Sequence, residues 1–172
     1  MNTVLYMSLA ANGCFAKSDA THPIPKEILG NFTQSVGKFG NLIIGRHTYD
    51  FMKTLLNQRT FPGIELIVVS KSLSKFEGGK VAASPLEALR YLEQKGFSTS
   101  LVGGGAQLDG CFLGQGLIDE IYLNIEPLLI KSSTFVTNEN LESNLKLIST
   151  SKLGDNILQL QYKVEAGRAT EK

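Results

Sequence analysis

Residues 101–122 read LVGGGAQLDGCFLGQGLIDEIY, and this stretch decides the fold. Leu101 and Val102 end an apolar strand, and Gly103, Gly104 and Gly105 follow. A short amphipathic run carries Leu108, Phe112 and Leu113, Gly116 closes it, and a second apolar strand starts near Ile118. Three glycines between a buried strand and a helix N-terminus let the backbone approach a flat or charged ligand closely. Taken alone, the triplet serves equally well as a tight packing turn. It is not the dinucleotide fingerprint of a Rossmann domain, because Leu108 stands where the third glycine belongs.

Working upstream, strands and helices alternate. Residues 3–9 (TVLYMSL) read as a buried strand, and residues 10–25 (AANGCFAKSDATHPIP) as a loop of functional length. The spacing of Ile28, Leu29, Phe32 and Val36 predicts a helix over 26–38, with Gly40-Asn41 stopping it. Leu42 to Ile44 make a short strand. GRHTYDFM, from Gly45, opens a second helix that ends before Phe61-Pro62-Gly63. ELIVV (65–69) is a buried strand and GKVAA (79–83) a short one. Ser84-Pro85-Leu86-Glu87 reads as a capping box with proline at the first helical position, followed by an apolar face of Leu86, Leu89 and Leu92. Downstream, Ile118 to Ile125 alternates as a strand ended by Pro127. Residues 146–149 and 157–162 form an antiparallel hairpin around Leu153-Gly154-Asp155-Asn156. The reading is an α/β fold: a mostly parallel central sheet with helices on both faces and an antiparallel C-terminal hairpin. One domain is expected over 1–164, with 165–172 a frayed tail.

Bulk properties narrow the function. The 172 residues are 42% hydrophobic and 19% charged, with a formal net charge of +1 and scattered lysines. That balance argues against nucleic acid or a membrane surface as partner. No apolar run is long enough to span a bilayer, and the N-terminus lacks the pattern of a signal peptide. Cys14 and Cys111 form no CxxC pair, which fits a cytoplasmic protein with reduced thiols. With His22 and His47 the only histidines, no metal site is expected.

Local motifs carry further chemistry. Residues 40–48 (GNLIIGRHT) mimic a phosphate-binding P-loop in glycine spacing. Leu42 to Ile44 belong inside a strand, however, and Arg46 and His47 replace the lysine and the magnesium-holding hydroxyl. The helix start at GRHT, with Arg46 and Thr48, makes either an anion site or an ordinary cap with a solvated arginine. Ser70-Lys71-Ser72 offers a second strand end of that kind or a plain polar loop. Glu27, the one carboxylate in 26–38, is either a pocket-wall group that assists protonation or a first-turn charge complementing the helix dipole. His22 reads as a loop residue.

Three segments in order, IIGRHTYDFM, LIVVSKSL and LVGGGAQL, resemble the dihydrofolate reductase superfamily. The run GGGAQLDGCFLGQGLIDEIYLNIEP, ending at Pro127, is more similar to the reductase domain of riboflavin-biosynthesis deaminase–reductases, as is the opening YMSLAANGCFA. The resemblance covers residues 3–163. It implies a hydride-transferring oxidoreductase that uses NADPH on an aminopyrimidine- or pteridine-type heterocycle. Ala10 and Phe15 would flank the nicotinamide, and Gly45, Arg46, His47 and Thr48 would meet the pyrophosphate. Ser70 and Lys71 would meet the 2′-phosphate, and Gly103, Gly104, Gly105, Ala106 and Gln107 would close over the cofactor. It implies a cis peptide between Gly103 and Gly104, a catalytic role for Glu27, and a homodimer through the late strands. Lys17 and Lys131 are the candidates for a substrate phosphate. Departures are Asn12-Gly13 where Asp-Gly is usual, the lack of any tryptophan, and Leu128 to Ser133 in place of a glycine-rich turn. Dihydrofolate reduction and non-catalytic nucleotide binding stand as the alternatives.

Overall fold

The structure, a computed structural model, describes residues 1–15, 22–54, 56, 61–131 and 142–165. Eight strands form one sheet in the order β4-β3-β2-β5-β1-β6-β8-β7. They are β1 (Asn2–Ala10), β2 (Asn41–Gly45), β3 (Glu65–Val69), β4 (Lys80–Ala82), β5 (Thr99–Val102), β6 (Glu120–Glu126), β7 (Asn144–Leu153) and β8 (Ile157–Glu165). The pairings from β4 through β6 are parallel, and β8 and β7 add to β6 antiparallel. Four helices connect them: α1 (Lys26–Phe39), α2 (Arg46–Met52), α3 (Pro85–Gln94) and α4 (Ala106–Gly114).

The continuous apolar runs of the sequence are explained by burial on both faces. Val4 and Tyr6, Leu42 and Ile44, Leu66 and Val68, and Leu101 point to one layer, where Ile28, Phe32 and Val36 of α1 meet them. Leu5, Met7, Ile43, Ile67 and Val102 point to the other, against Ala88, Leu89 and Leu92 of α3 and Leu108 and Phe112 of α4. The period-two alternation of a strand divides each run between two cores.

Most expected elements are present, with shifted boundaries. The second helix ends at Met52, well before Phe61. β7 extends beyond the expected 146–149 at both ends, while β8 starts at Ile157 as expected and runs to Glu165, the first residue of the expected tail. Leu86 is 42% exposed, so Pro85, Ala88, Leu89 and Leu92 make the buried face of α3. The Ser84 hydroxyl accepts from the Glu87 N–H at 3.2 Å, while the Glu87 carboxylate accepts from the N–H of Ala83, not of Ser84. The reciprocal cap therefore closes one residue early. The cis peptide joins Gly104 and Gly105, one bond later than the resemblance implies. Lys17, Ser132, Ser133 and residues 166–172 lie outside the described residues.

Candidate active site

Parallel strands present their carboxyl ends along one rim, and ligands of open α/β sheets bind there. In this molecule the rim opens between β1 and β5. Their pairing stops at Leu5–Val102, after which β1 continues beside β6 alone and β5 turns away through the glycines. A cavity of about 550 Å³ occupies the gap, within the usual range for a small-molecule site.

The glycine turn forms one wall, with Gly103, Gly104, Gly105 and Ala106. It is stitched to β2: the Gly103 N–H donates to the Ile43 carbonyl and the Gly45 N–H to the Gly104 carbonyl, both at 2.9 Å. Side chains are excluded by what already surrounds it. A Cβ on Gly103 would stand 2.8 Å from Leu42 Cδ1 and 3.1 Å from the Phe32 ring, and one on Gly105 3.3 Å from Thr48 Oγ1. Neither α2 nor α4 has a side-chain cap at its start, where the first-turn residues His47, Thr48 and Ala106 line the cavity. Uncapped first-turn N–H groups are ready donors for an anion. The glycine cradle and these two helix starts fit a dinucleotide's phosphates and flat ring.

The opposite wall is apolar. Ile24, Ile28, Leu29 and Phe32 come from α1 and the loop before it, and Phe51 and Met52 from α2. The floor is polar, a feature the sequence reading missed. Tyr6 and Ser8 of β1 and Glu126 of β6 line it, all on the α1 side of the sheet. Behind them runs a hydrogen-bonded chain. The Tyr6 hydroxyl donates to Asn31 Oδ1 at 2.9 Å, and Gln159 Nε2 donates to the same atom and to Asn124 Oδ1, each at 2.9 Å. Asn124 Nδ2 donates to Ser8 Oγ at 3.2 Å. Burial pushes the Tyr6 phenol up to about 12, so it acts as a donor and not as a base. Glu126 is buried, and burial raises its carboxyl above the ordinary carboxylate range. The signal for this floor lay in IYLNIEP. Ile121, Leu123 and Ile125 alternate with Tyr122, Asn124 and Glu126, a polar series on a face that a buried strand would otherwise make apolar.

Of the expected site residues, Phe15, His47, Thr48, Gly103, Gly104, Gly105 and Ala106 come together around this cavity. Gly45 holds the turn from behind. Ala10 is buried in β1, and Gln107 is exposed on α4; neither is part of the cavity lining. Ser70, Lys71 and Arg46 gather outside it, at the ends of β3 and β2. Arg46 Nε meets Asp50 Oδ2 at 2.7 Å, and its Nη1 reaches Ser72 Oγ at 3.5 Å. The Ser70 hydroxyl accepts from the N–H groups of Ser72 and Leu73, while Lys71 is exposed.

Glu27 is not brought into the cavity. Ile28 and Leu29 take the inward positions on α1, and each residue turns the helix by about 100°. Glu27 instead packs on the β7–β8 turn, where a Cβ on Gly154 would stand 2.9 Å from its Cγ. The buried carboxylate of this cavity is Glu126. Among the described residues no helix is long and apolar enough to cross a membrane.

The chain matches the model of the RibD C-terminal domain over residues 46–159. It is 26% identical over 168 residues to the uncharacterized protein YwjB of Bacillus subtilis (strain 168), covering 93% of this chain and 96% of the other. A putative riboflavin biosynthesis protein from Shewanella sp. PV-4 superposes with a TM-score of 0.75 at 22% identity, covering 96% and 100% of the two chains. Schistosoma mansoni dihydrofolate reductase gives 0.75 at 19% identity, covering 96% and 99%. At these identities the two structures speak for the fold, which is dihydrofolate-reductase-like.

Proposed function

The chain belongs to the RibD C-terminal domain family, and from that premise we propose that it is an NADPH-dependent reductase transferring hydride to an aminopyrimidine- or pteridine-type heterocycle. The substrate class of first choice is the riboflavin-biosynthesis type, a 5-amino-6-(5-phosphoribosylamino)uracil-like compound. One observation carries this reading: a single cavity brings together a glycine turn flanked by two uncapped helix starts and a buried carboxyl, Glu126, whose pKa burial raises.

Bound there, NADPH supplies the hydride. The chain's own part is to hold, orient and exclude. Gly103 to Ala106 and the starts of α2 and α4 would take the nucleotide, with Phe15 against its nicotinamide end. The wall of Ile28, Leu29, Phe32, Phe51 and Met52 would clasp the heterocycle's face and keep water out. Glu126 would give its proton to the nitrogen or oxygen of the C=N or masked carbonyl bond whose carbon takes the hydride, and Tyr6 and Ser8 would fix the polar edge.

A second reading is dihydrofolate-type reduction. Among the described lining residues there is no lysine or arginine, and an apolar wall suits a pteridine without a phosphate arm. Turnover measured on dihydrofolate and on the aminopyrimidine ribosyl phosphate separates the two. No NADPH binding at millimolar concentration would defeat the enzyme reading. Binding without oxidation across pteridines, aminopyrimidines and simple imines would leave a nucleotide-binding protein.

Cofactor choice rests on the outer cluster. Lys71 is exposed, next in sequence to Ser72, whose hydroxyl meets Arg46 outside the cavity; a 2′-phosphate extending past the rim would meet it. Lys71→Ala is expected to weaken NADPH about two- to fivefold, an exposed ion contact being worth up to about 1 kcal/mol, and to leave NADH unchanged. Equal weakening of both, read by binding isotherm, removes Lys71 from the 2′-phosphate site.

The homodimer is proposed through β7, the edge strand, whose Leu145, Leu147 and Ile148 are exposed. A long apolar edge is normally covered. Light scattering is expected to give twice the chain mass, falling to one chain mass in Leu147→Lys; a monomeric parent would refute it.

A further inference from the structure

Among the described residues, Asp109 is a buried carboxylate whose surroundings the proposed chemistry leaves unexplained. It lies in the first turn of α4 and is wholly buried. Neither Oδ1 nor Oδ2 has a hydrogen-bond partner. A buried carboxyl left unpartnered opposes folding, so it is rare in native structures unless the site uses it. Its position is specific. The point where a Cβ on Gly104 would lie is 3.6 Å from Asp109 Oδ2 and 3.9 Å from Phe15 Cζ. Gly104 and Phe15 both line the cavity, so the carboxyl stands directly behind the two residues that would bracket a nicotinamide ring. Glycine at 104 is what leaves no side chain between them.

We propose that Asp109 is a cofactor-binding residue that distinguishes the two redox states of the nicotinamide, acting as the counter-charge of the oxidised, cationic ring. The inference rests on the nicotinamide reading given above. The reduced and oxidised cofactors differ at the ring by one positive charge and share the rest of the molecule, so the ratio of their affinities isolates the field at the ring. A carboxylate in a low-dielectric wall a few ångströms away favours the cation strongly. Burial alone raises the Asp109 carboxyl well above the usual carboxylate range. A cation beside it would pull that value down again, so binding of NADP+ would favour release of the proton to solvent and binding of NADPH would not.

Of the elements packed on α4, β2 carries no titratable side chain and α3 carries Glu87, Arg90, Tyr91 and Glu93; α4 itself adds Cys111, and the cavity lining adds Tyr6, His47 and Glu126. None of them is hydrogen-bonded to Asp109. The 2′-phosphate also titrates, but it is common to both cofactor forms and cancels in the difference.

Dissociation constants for NADP+ and NADPH, measured by calorimetry at pH 6 and pH 8 in wild type and Asp109→Asn, test the assignment. The wild-type NADP+/NADPH constant ratio is expected to fall with rising pH. In Asp109→Asn it should be flat and about tenfold higher at pH 8, the equivalent of one pKa unit of interaction. Unfolding of the variant is covered by a second measurement on wild type alone. Titration in two buffers of different ionisation enthalpy should show more protons released by NADP+ than by NADPH. Equal proton release, or a ratio the substitution does not move, overturns the role of Asp109 while leaving the reductase reading intact. Failure of wild type to bind either cofactor overturns both.

Discussion

Glu126→Gln is expected to lower turnover by about two orders of magnitude or more, the usual contribution of a positioned acid, with NADPH affinity within about twofold of wild type, well under 1 kcal/mol. The strand register produces this expectation. Glu126 is the last residue of β6, paired with Ala10 at the end of β1, and the alternation that buries Ile121 on the α4 side sends Glu126 to the α1 side with Tyr122 and Asn124. Its neighbours there are the apolar wall and the polar floor, with no lysine or arginine among the described lining residues. Burial disfavours the ionised form and raises the carboxyl's pKa. For a proton donor the sign is useful: the acid form persists to higher pH than an ordinary glutamate would keep it. The rate should therefore fall as pH rises through the raised value, and this limb of the profile should vanish in Glu126→Gln. The same shift has a cost in stability. The folded state holds the proton more tightly than the unfolded one, so Glu126 favours folding least above its raised pKa, and stability contributed at low pH is lost as pH rises through it. Full turnover in Glu126→Gln together with loss in Glu27→Gln would return the acid role to the first helix.

That contrast shows how far the chain could be read without its structure. The mostly parallel sheet, its two helical layers and the antiparallel hairpin follow from local pattern, because apolar runs of four or five residues bounded by glycine and separated by amphipathic helices admit few other arrangements. The glycine turn and the GRHT helix start, which one cavity brings together, could be picked out for the same reason: backbone chemistry at a strand end is a local property. Glu27 and Glu126 were not separable in that way. Both follow or precede a proline and flank an apolar segment, and only the rotation of α1 on the sheet decides that Ile28 and Leu29 face inward while Glu27 meets Gly154. The polar floor needed even more. It joins Tyr6, Asn31, Asn124 and Gln159 across separations of up to 128 positions, and no window of sequence contains such a contact. Asp109 escaped for the opposite reason. An aspartate in the first turn of a helix is ordinary, and only the lack of any partner for its oxygens marks it.

Gly104→Val is expected to abolish detectable NADPH binding, a loss of about 100-fold or more, or roughly 2.7 kcal/mol. It should also lower unfolding free energy by about 1–3 kcal/mol. The backbone alone argues for part of this. Gly104 has φ of +91°, a region where a β-branched residue is a genuine outlier. Space argues for the rest. A Cβ at 104 would already be in contact with Asp109 Oδ2 and with the tip of Phe15, and the two methyls of valine extend beyond it into the carboxyl or into the cavity. The Gly104 carbonyl accepts the Gly45 N–H at 2.9 Å, so any shift of the turn is passed to the junction of β2 and α2, where His47 and Thr48 form the second nucleotide-facing start. The change thus strikes both walls of the proposed nucleotide seat through one atom. Denaturant unfolding and an NADPH isotherm on the same preparation separate the two effects, since a folded variant without binding isolates the seat. A Gly104→Val protein that keeps wild-type stability and NADPH affinity would mean that the cofactor does not rest on this turn, and the triple glycine would then be the packing turn that its sequence alone equally allowed.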